Sequence, residues 1–286
     1  SREVMTPYSG MVPGLMAGHY SYDEAHIDLQ RLCQFSGTRL FHTAAAHVDF
    51  DRREVHCIGR PPVQFDLLSI DTGSTPDILG IKGAKQYAIP IKPIDEFLHV
   101  IGRLETQLMA RPGPLRIVIV GGGAGGVELC LSLHHRFSQI LRARDENAER
   151  LQLSIVSYGA ELTPQHAKKT RKVLHDVLMQ RGIKVRLLQM VTAIDADRVT
   201  LADGTSIECD TVILATHAAA PEWPAAGGIA VDARGFIRVR DTLQSVSHEN
   251  LFAAGDVATI DGRQLAKSGV YAVRQGPVLH QNLRNL

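Results

Sequence analysis

The stretch "RIVIVGGGAGGVELC", Arg116 to Cys130, decides how the rest of the chain is read. Leu115 to Val120 is a short apolar run rich in β-branched residues, the pattern of a strand buried on both faces of a parallel sheet. Gly121, Gly123 and Gly126 follow with G-x-G-x-x-G spacing, and Val127 to Leu141 reads as a helix carrying Leu129, Leu131, Leu133 and Phe137. Each glycine serves a different physical need. The first permits a tight turn, the second lets a diphosphate approach the backbone, and the third packs helix on strand. The free amides of the helix start would then face the diphosphate.

Downstream residues complete the unit. Leu151 to Val156 reads as a second apolar strand, Thr163 and Pro164 open a helix through Val173, Leu174, Val177 and Leu178 that stops at Gly182, and Lys184 to Leu188 supplies a third strand. This context, rather than the glycines alone, predicts a dinucleotide site. An Asp or Glu normally follows the second strand and binds the adenosine ribose. Ser157 and Tyr158 stand there instead, neither of them acidic and with no arginine beside them in sequence, so Ser157 either meets a ribose hydroxyl or simply ends the strand, and the choice between NADH and NADPH stays open.

Upstream, the first hundred residues echo the later ones. Arg198 to Leu201, a turn at Asp203-Gly204 and Ser206 to Glu208 read as a hairpin leading into a buried strand, Thr211 to Ala215, that ends at Thr216-His217. Asp66 precedes Asp210 by 144 residues, and Thr72 precedes Thr216, and Val55 precedes Val199, by the same interval. Two head-to-tail modules are the simplest account. That interval puts the first module's own glycine fingerprint ahead of Ser1, and Ser1 to Val4 near the end of its second strand. Chance alignment of two apolar strands is the plainer alternative.

Composition narrows the function classes. Net charge is +1 and no basic stripe or Lys/Arg run is read in the chain, so nothing in the charge suggests a nucleic-acid or anionic-membrane partner. The most apolar window, Leu115 to Leu133, is broken by Arg116, Glu128 and five glycines, which argues against a membrane span, and the lack of any close cysteine pair fits a reducing cytoplasm. The four cysteines, Cys33, Cys57, Cys130 and Cys209, form no close pair and read as buried structural thiols. His134 and His135 are adjacent on a helix and point different ways, so no metal site is expected. Near the end, "NLFAAGDVATI", Asn250 to Ile260, runs from a short strand into Gly255-Asp256. Asp256 reads either as the cap of a following helix or as a fixed carboxylate for a polyol hydroxyl.

Taken together, Gly121 to Glu128, Thr72-Gly73-Ser74, Ala215-Thr216-His217 and Gly255-Asp256 resemble the two-dinucleotide-domain flavoproteins of the pyridine nucleotide-disulfide oxidoreductase superfamily. The likeness is greatest to the type II NADH dehydrogenase branch, and "MTPYSGMVPGLMAGHYSYDEAHIDL" is similar to the oxidoreductase module fused to selenide, water dikinase. The resemblance spans nearly the whole chain. It implies an α/β fold of two Rossmann-like three-layer domains, the first truncated at its amino end. An FAD-binding domain would comprise 1–111 plus 242–286, around an NAD(P)-binding domain at 112–241. "ARPGPLR" would be the linker, and "AAAPEWPAAGG" the loop before the return crossing.

The resemblance also implies roles. Asp256 would hold the flavin ribityl chain, the backbone from Lys267 through Val270 to Tyr271 would approach the isoalloxazine ring, and Ala272 to Leu283 would be the last flavin-domain helix. Thr72 and Gly73, with Thr216 as the counterpart, would mark strand ends where the chain changes domain. Glu128 would lie near the nicotinamide, although an acid in a helix's first turn needs no such reason. His217, where a glycine is common, would narrow the approach to the cofactor. The implied reaction passes a hydride from NAD(P)H to FAD and electrons to an acceptor such as a quinone, with no redox-active disulfide. Homodimer contacts and attachment at a membrane surface belong to a C-terminal region expected beyond Leu286. The competing reading is a non-catalytic NAD(P)-binding or redox-sensing module without stable flavin.

Overall fold

A computed structural model describes residues 1–77, 80–216 and 218–286. The chain forms two compact units, one of Met11–Ala25 with Pro76–His217 and one of Ser1–Gly10, His26–Thr75 and Ala218–Leu286.

The first of these, the fingerprint unit, is built on a five-stranded parallel sheet in the spatial order Lys184–Arg186, Leu151–Val156, Leu115–Val120, Thr211–Leu214, Ala88–Pro90. The central strand explains the layering. Leu115, Ile117 and Ile119 point to one face, against Leu129, Leu133 and Phe137 of the helix Ala124–Ala143 and Phe97, Ile101 and Leu104 of the helix Ile94–Ala110. Val118 and Val120 point to the other, against Val199 and Leu201 of an antiparallel meander, Val191–Ile194, Arg198–Leu201 and Ser206–Glu208. Alternation with period two therefore buries both faces, which is why the run carries no alternating polar residues.

Asp210 pins the start of this sheet. Its carboxylate accepts from the Arg116 backbone N–H at 2.7 Å and from Arg111 Nη2 at 2.7 Å, while its own N–H donates to the Arg116 carbonyl at 2.8 Å.

The other unit repeats part of this plan. A helix, Leu29–Ser36, is followed by the meander Ala45–Asp49, Glu54–Cys57 and Val63–Gln64, then by Leu68–Ile70 in parallel pairing with Leu251–Ala253. In the fingerprint unit the order is Lys168–Gln180, the additional strand Lys184–Arg186, the meander, and Thr211–Leu214. The middle strands Glu54–Cys57 and Arg198–Leu201 coincide at the 144-residue interval. Both meanders also carry a register shift in their first strand, between Ala45 and His47 in one and Val191 and Ala193 in the other. A shared bulge at a matching place is a more specific sign of duplication than two apolar strands. Ile70, Ile237, Val239, Leu251, Phe252 and Val257 form this unit's core.

Several elements depart from expectation. The helix expected from Thr163 begins at Lys168, because Thr163 takes φ 46° in a turn and donates its N–H to the Gly122 carbonyl at 2.8 Å. Trp223–Ala226 is a short helix with proline in its first turn rather than loop. Near the start, Met5–Pro7 pairs antiparallel with His26–Asp28, where the end of a parallel-sheet strand was expected over the first residues. Asp256 caps no helix: it lies in the single turn Gly255–Val257, a strand Ala258–Ile260 follows, and the last helix is Gly269–Arg284. Burial holds for Cys130 and Cys209, whereas Cys33 and Cys57 are only half-buried.

The compact units also divide elsewhere than at 111/112 and 241/242. The helix Ile94–Ala110 buries Phe97, Ile101, Leu104 and Leu108 against the fingerprint strand, and Ala88–Pro90 joins its sheet, so both belong to the fingerprint unit. Ile229, Ile237 and Val239 pack with Leu251 and Phe252 and so belong to the other.

Candidate functional site

In the fingerprint unit the glycine loop lies at the carboxyl ends of the three central strands. Gly121 takes φ 128°, donates its N–H to the Val156 carbonyl at 2.9 Å, and a Cβ there would sit 2.2 Å from the Ala215 carbonyl oxygen. At Gly126 a Cβ would sit 2.0 Å from the Gly121 oxygen. Gly122, which the spacing rule passes over, is closed as well, since a Cβ would meet the Ser157 Cβ and Oγ at 2.8 Å. Gly123 differs from all three. Nothing lies within 4 Å of a Cβ there, and it begins the 20-residue helix Ala124–Ala143 with no side chain capping the free amides. The loop is thus sterically locked on the protein side and open on one side, the shape that a diphosphate bound to helix amides requires.

Ser157 sits at the lip of this loop. Its N–H donates to the Arg186 carbonyl at 2.9 Å and its Oγ accepts from the Gly159 N–H at 3.2 Å. Thr163 is 1% exposed, and its Oγ1 has no partner. Glu128 keeps much of its surface in solvent, yet its carboxyl is held above the ordinary range, by partial burial first, with His166 pulling the other way. Solvent around such a rim position keeps that effect small. Thr216 donates its hydroxyl to the Asp77 carbonyl at 2.5 Å, so it ties down the chain after the strand end. His217 lies outside the described residues.

The second unit gathers a different set. Ser74 is buried and donates to Asp256 Oδ2 at 3.2 Å. Gly255 takes φ 71° and donates its N–H to Gln275 Oε1 at 2.6 Å. A Cβ on Gly255 would stand 2.6 Å from Asp71 Oδ1, so this turn admits only glycine while the Asp71 carboxylate is there. Asp71 is pushed up to about 6, by burial first and then by repulsion from Asp256. Asp71 as a residue is nonetheless solvent-exposed, so this is a crowded rim rather than a closed interior.

Lys267 Nζ lies 3.9 Å over the Phe236 ring and donates to the Ala258 carbonyl; burial lowers it, and Asp232 and Asp256 oppose that. Gly255, Asp256, Lys267, Tyr271 and Gln275 line one shallow recess, with Val270 exposed in the first turn of the last helix. Thr72 is exposed and Gly73, at φ 73°, faces open space.

The sequence reading thus missed Gly122, Asp71 and Gln275. Asp71 had a visible signal, since it aligns at the 144-residue interval with Ala215, a carboxylate where the other copy has a methyl. Gln275 had none, because only the fold brings it to Gly255. Burial pushes the Cys130 thiol up to about 12 and that of Cys209 to about 11, which suits packing rather than thiolate chemistry. Among the described residues there is no group of three or more His, Cys, Asp or Glu able to hold a metal, and no helix long and apolar enough to cross a membrane.

Comparison with known proteins gives a consistent result. The profile of the family described as "Pyridine nucleotide-disulphide oxidoreductase" matches residues 2–276. The chain is 29% identical over 167 residues to the type II NADH:quinone oxidoreductase of Haemophilus influenzae, covering 57% of this chain and 38% of that protein. It is 27% identical over 236 residues to the demethylphylloquinone reductase of Synechocystis, covering 80% and 55%. In fold it matches the Plasmodium falciparum NDH2 structure solved with NADH at a TM-score of 0.80 and 18% identity, over 91% of this chain and 58% of that one. It therefore spans only part of the length of these relatives.

Proposed function

The chain belongs to the pyridine nucleotide-disulphide oxidoreductase family, and on that premise we propose that it works as a FAD-dependent NAD(P)H oxidoreductase passing electrons to an acceptor such as a quinone. The observation that carries this reading is the contrast within the glycine loop: Gly121, Gly122 and Gly126 closed by neighbours, Gly123 open. When bound, the nicotinamide supplies a hydride and the flavin ring accepts it. The protein's part is to hold and align both.

On this reading the loop amides from Gly123 onward hold the dinucleotide diphosphate, and Gly121, Gly126, Ser157 and Thr216 shape its bed. The second unit fits a polyol. Asp256, fixed by Ser74, presents a carboxylate to ribityl hydroxyls, and Gly255, Thr72, Gly73 and the backbone at Val270 and Tyr271 frame the ring end. Glu128 lies in the first turns of the helix that starts at the loop, where its side chain would stand near the nicotinamide. The fingerprint unit is thus proposed as the NAD(P)-binding domain and the other as the FAD-binding domain.

Four finer proposals rest on the resemblance and the relatives alone. They are a quinone acceptor, a cytoplasmic location with peripheral membrane attachment, a homodimer, and fusion or association with a selenide, water dikinase module.

The test is direct. Purified full-length protein should be yellow, with flavin absorbance that bleaches when NADH or NADPH is added. Gly123→Asp should keep the fold, because the Cβ has room and Asp suits a helix start, yet weaken dinucleotide binding at least about tenfold by repulsion. Unchanged affinity would sink the reading. Colourless protein that still binds dinucleotide would favour the non-catalytic module.

A further inference from the structure

The strand–helix–strand segment bordering Ser157 has a charge distribution that its own folding does not explain. Residues 157–186 carry seven Lys or Arg against two Asp or Glu, in a chain whose net charge is only +1. The overall balance had hidden this cluster. Four of the seven, Lys168, Lys169, Arg171 and Lys172, fall in the first five residues of the helix Lys168–Gln180, which has no acidic residue in its first turn and no side-chain cap. Positive charge at a helix start opposes the macrodipole, so these residues weaken the element they occupy. Local choices that conflict with the fold in this way are expected where a ligand is served instead.

The same place lacks the group that selects an unphosphorylated ribose. A carboxylate at the end of the second strand accepts from the ribose 2′-hydroxyl and repels a 2′-phosphate, whereas a nearby arginine accepts the phosphate. Ser157 occupies that position, with its side chain against Gly122 at the loop's lip, and its Oγ already accepts one hydrogen bond. Arg186, in register with Val156 one residue before it, accepts the Ser157 N–H at its backbone carbonyl and is exposed. The nearest acid in sequence, Glu161, is paired with Arg171. Asp203, on the meander turn, is a carboxylate that feels Arg186. An independent sign of an unfilled polar partner lies in the same connection, where the Thr163 Oγ1 and the Arg171 Nε are buried without a hydrogen bond.

We infer that the fingerprint unit is built for the 2′-phosphorylated dinucleotide, NADPH, with Ser157 leaving room for the phosphate and Arg186, Lys168 and Lys169 supplying its countercharge. This rests on the proposed dinucleotide site and adds which of the two nucleotides it takes. Guanidinium pairs with phosphate in bidentate fashion, and the lysines act as point charges.

The experiment is calorimetric titration of the full chain with 2′,5′-ADP and with 5′-AMP, which differ only in the 2′-phosphate, alongside NADPH and NADH. 2′,5′-ADP should bind at least tenfold more tightly than 5′-AMP, NADPH should exceed NADH similarly, and the advantage should shrink as salt rises. Arg186→Ala and the pair Lys168→Ala with Lys169→Ala, all exposed positions, should each cut the advantage severalfold while leaving 5′-AMP binding unchanged. Ser157→Glu should reverse the preference. Equal or tighter binding of 5′-AMP and NADH overturns the inference but leaves the nucleotide site standing. Failure of all four ligands to bind overturns both.

Discussion

The two copies of the helix–meander–strand unit share an order, an interval and a bulge, yet they are buried to very different degrees. In the later copy Thr211–Leu214 is buried throughout, paired to Leu115–Val120 on one side and Ala88–Pro90 on the other, and Leu178 of its helix is 0% exposed. In the earlier copy Leu68–Ile70 pairs with Leu251–Ala253 alone among the described residues, and only Ile70 is buried. Its helix Leu29–Ser36 buries nothing, and Phe35 is 91% exposed. Local pattern therefore sets which elements form. The number of neighbouring strands sets how much of each is buried, and hence what a side chain at a matched position is worth.

The comparison can be broken most sharply at its glycines. Gly126→Ala forces a methyl against a backbone oxygen that cannot move without the loop, so the fingerprint unit should lose at least about 3 kcal/mol and its dinucleotide binding, seen in a thermal melt and a titration. Gly73→Ala, in the earlier copy, faces open space and meets only the cost of a left-handed backbone, about 1 kcal/mol. Similar losses at both positions would mean that the loop is not locked as described.

A matched pair sharpens it next. Asp210→Ala removes the acceptor for Arg111 and for the Arg116 N–H, and should cost about 2 to 3 kcal/mol in urea unfolding. Asp66, its partner at the 144-residue interval, is exposed, and Asp66→Ala should change stability by no more than about 0.5 kcal/mol. Equal effects would contradict the claim that neighbours, rather than the repeated residue, confer the value.

The same distinction governs how much was legible in the sequence. The fingerprint strand, its helix and the hairpin with Gly204 in its turn could be read because each is specified by residues a few positions apart. The repeat was legible from Asp66, Thr72 and Val55 because duplication preserves spacing. Boundaries between the units were not, since they depend on where Phe97 and Leu104 find apolar partners, which is a tertiary matter. The same holds at the site. Gly121, Gly123 and Gly126 announced themselves, whereas the closure of Gly122 by Ser157 and the meeting of Gln275 with Gly255 exist only once strands and helices are assembled. The false helix start at Thr163 shows the converse error. Thr-Pro is a sound local start signal, but the Thr163 N–H is drawn to the Gly122 carbonyl, and the helix waits five residues.

The smallest expected effect lies where the copies differ by one carboxylate, Asp71 against Ala215. Asp71 sits at about 6 in the folded chain against an ordinary 3.8, so between those values the folded state holds the proton and the unfolded state does not. Stability from this group is therefore fully present below about pH 4, falls as pH rises through the window, and stays lost above 6. Most carboxylates whose pKa values fall on folding act in the opposite sense. Because Asp71 is exposed, solvent screening holds the effect below about 1 kcal/mol. Asp71→Asn keeps the shape and removes both the titration and the repulsion from Asp256. It should raise the unfolding midpoint slightly at pH 8, leave it unchanged at pH 4, and flatten the slope between them. A variant that is instead less stable at pH 8 would show that the carboxylate is held there by an attractive partner, and that the crowding against Gly255 and Asp256 is not what sets its pKa.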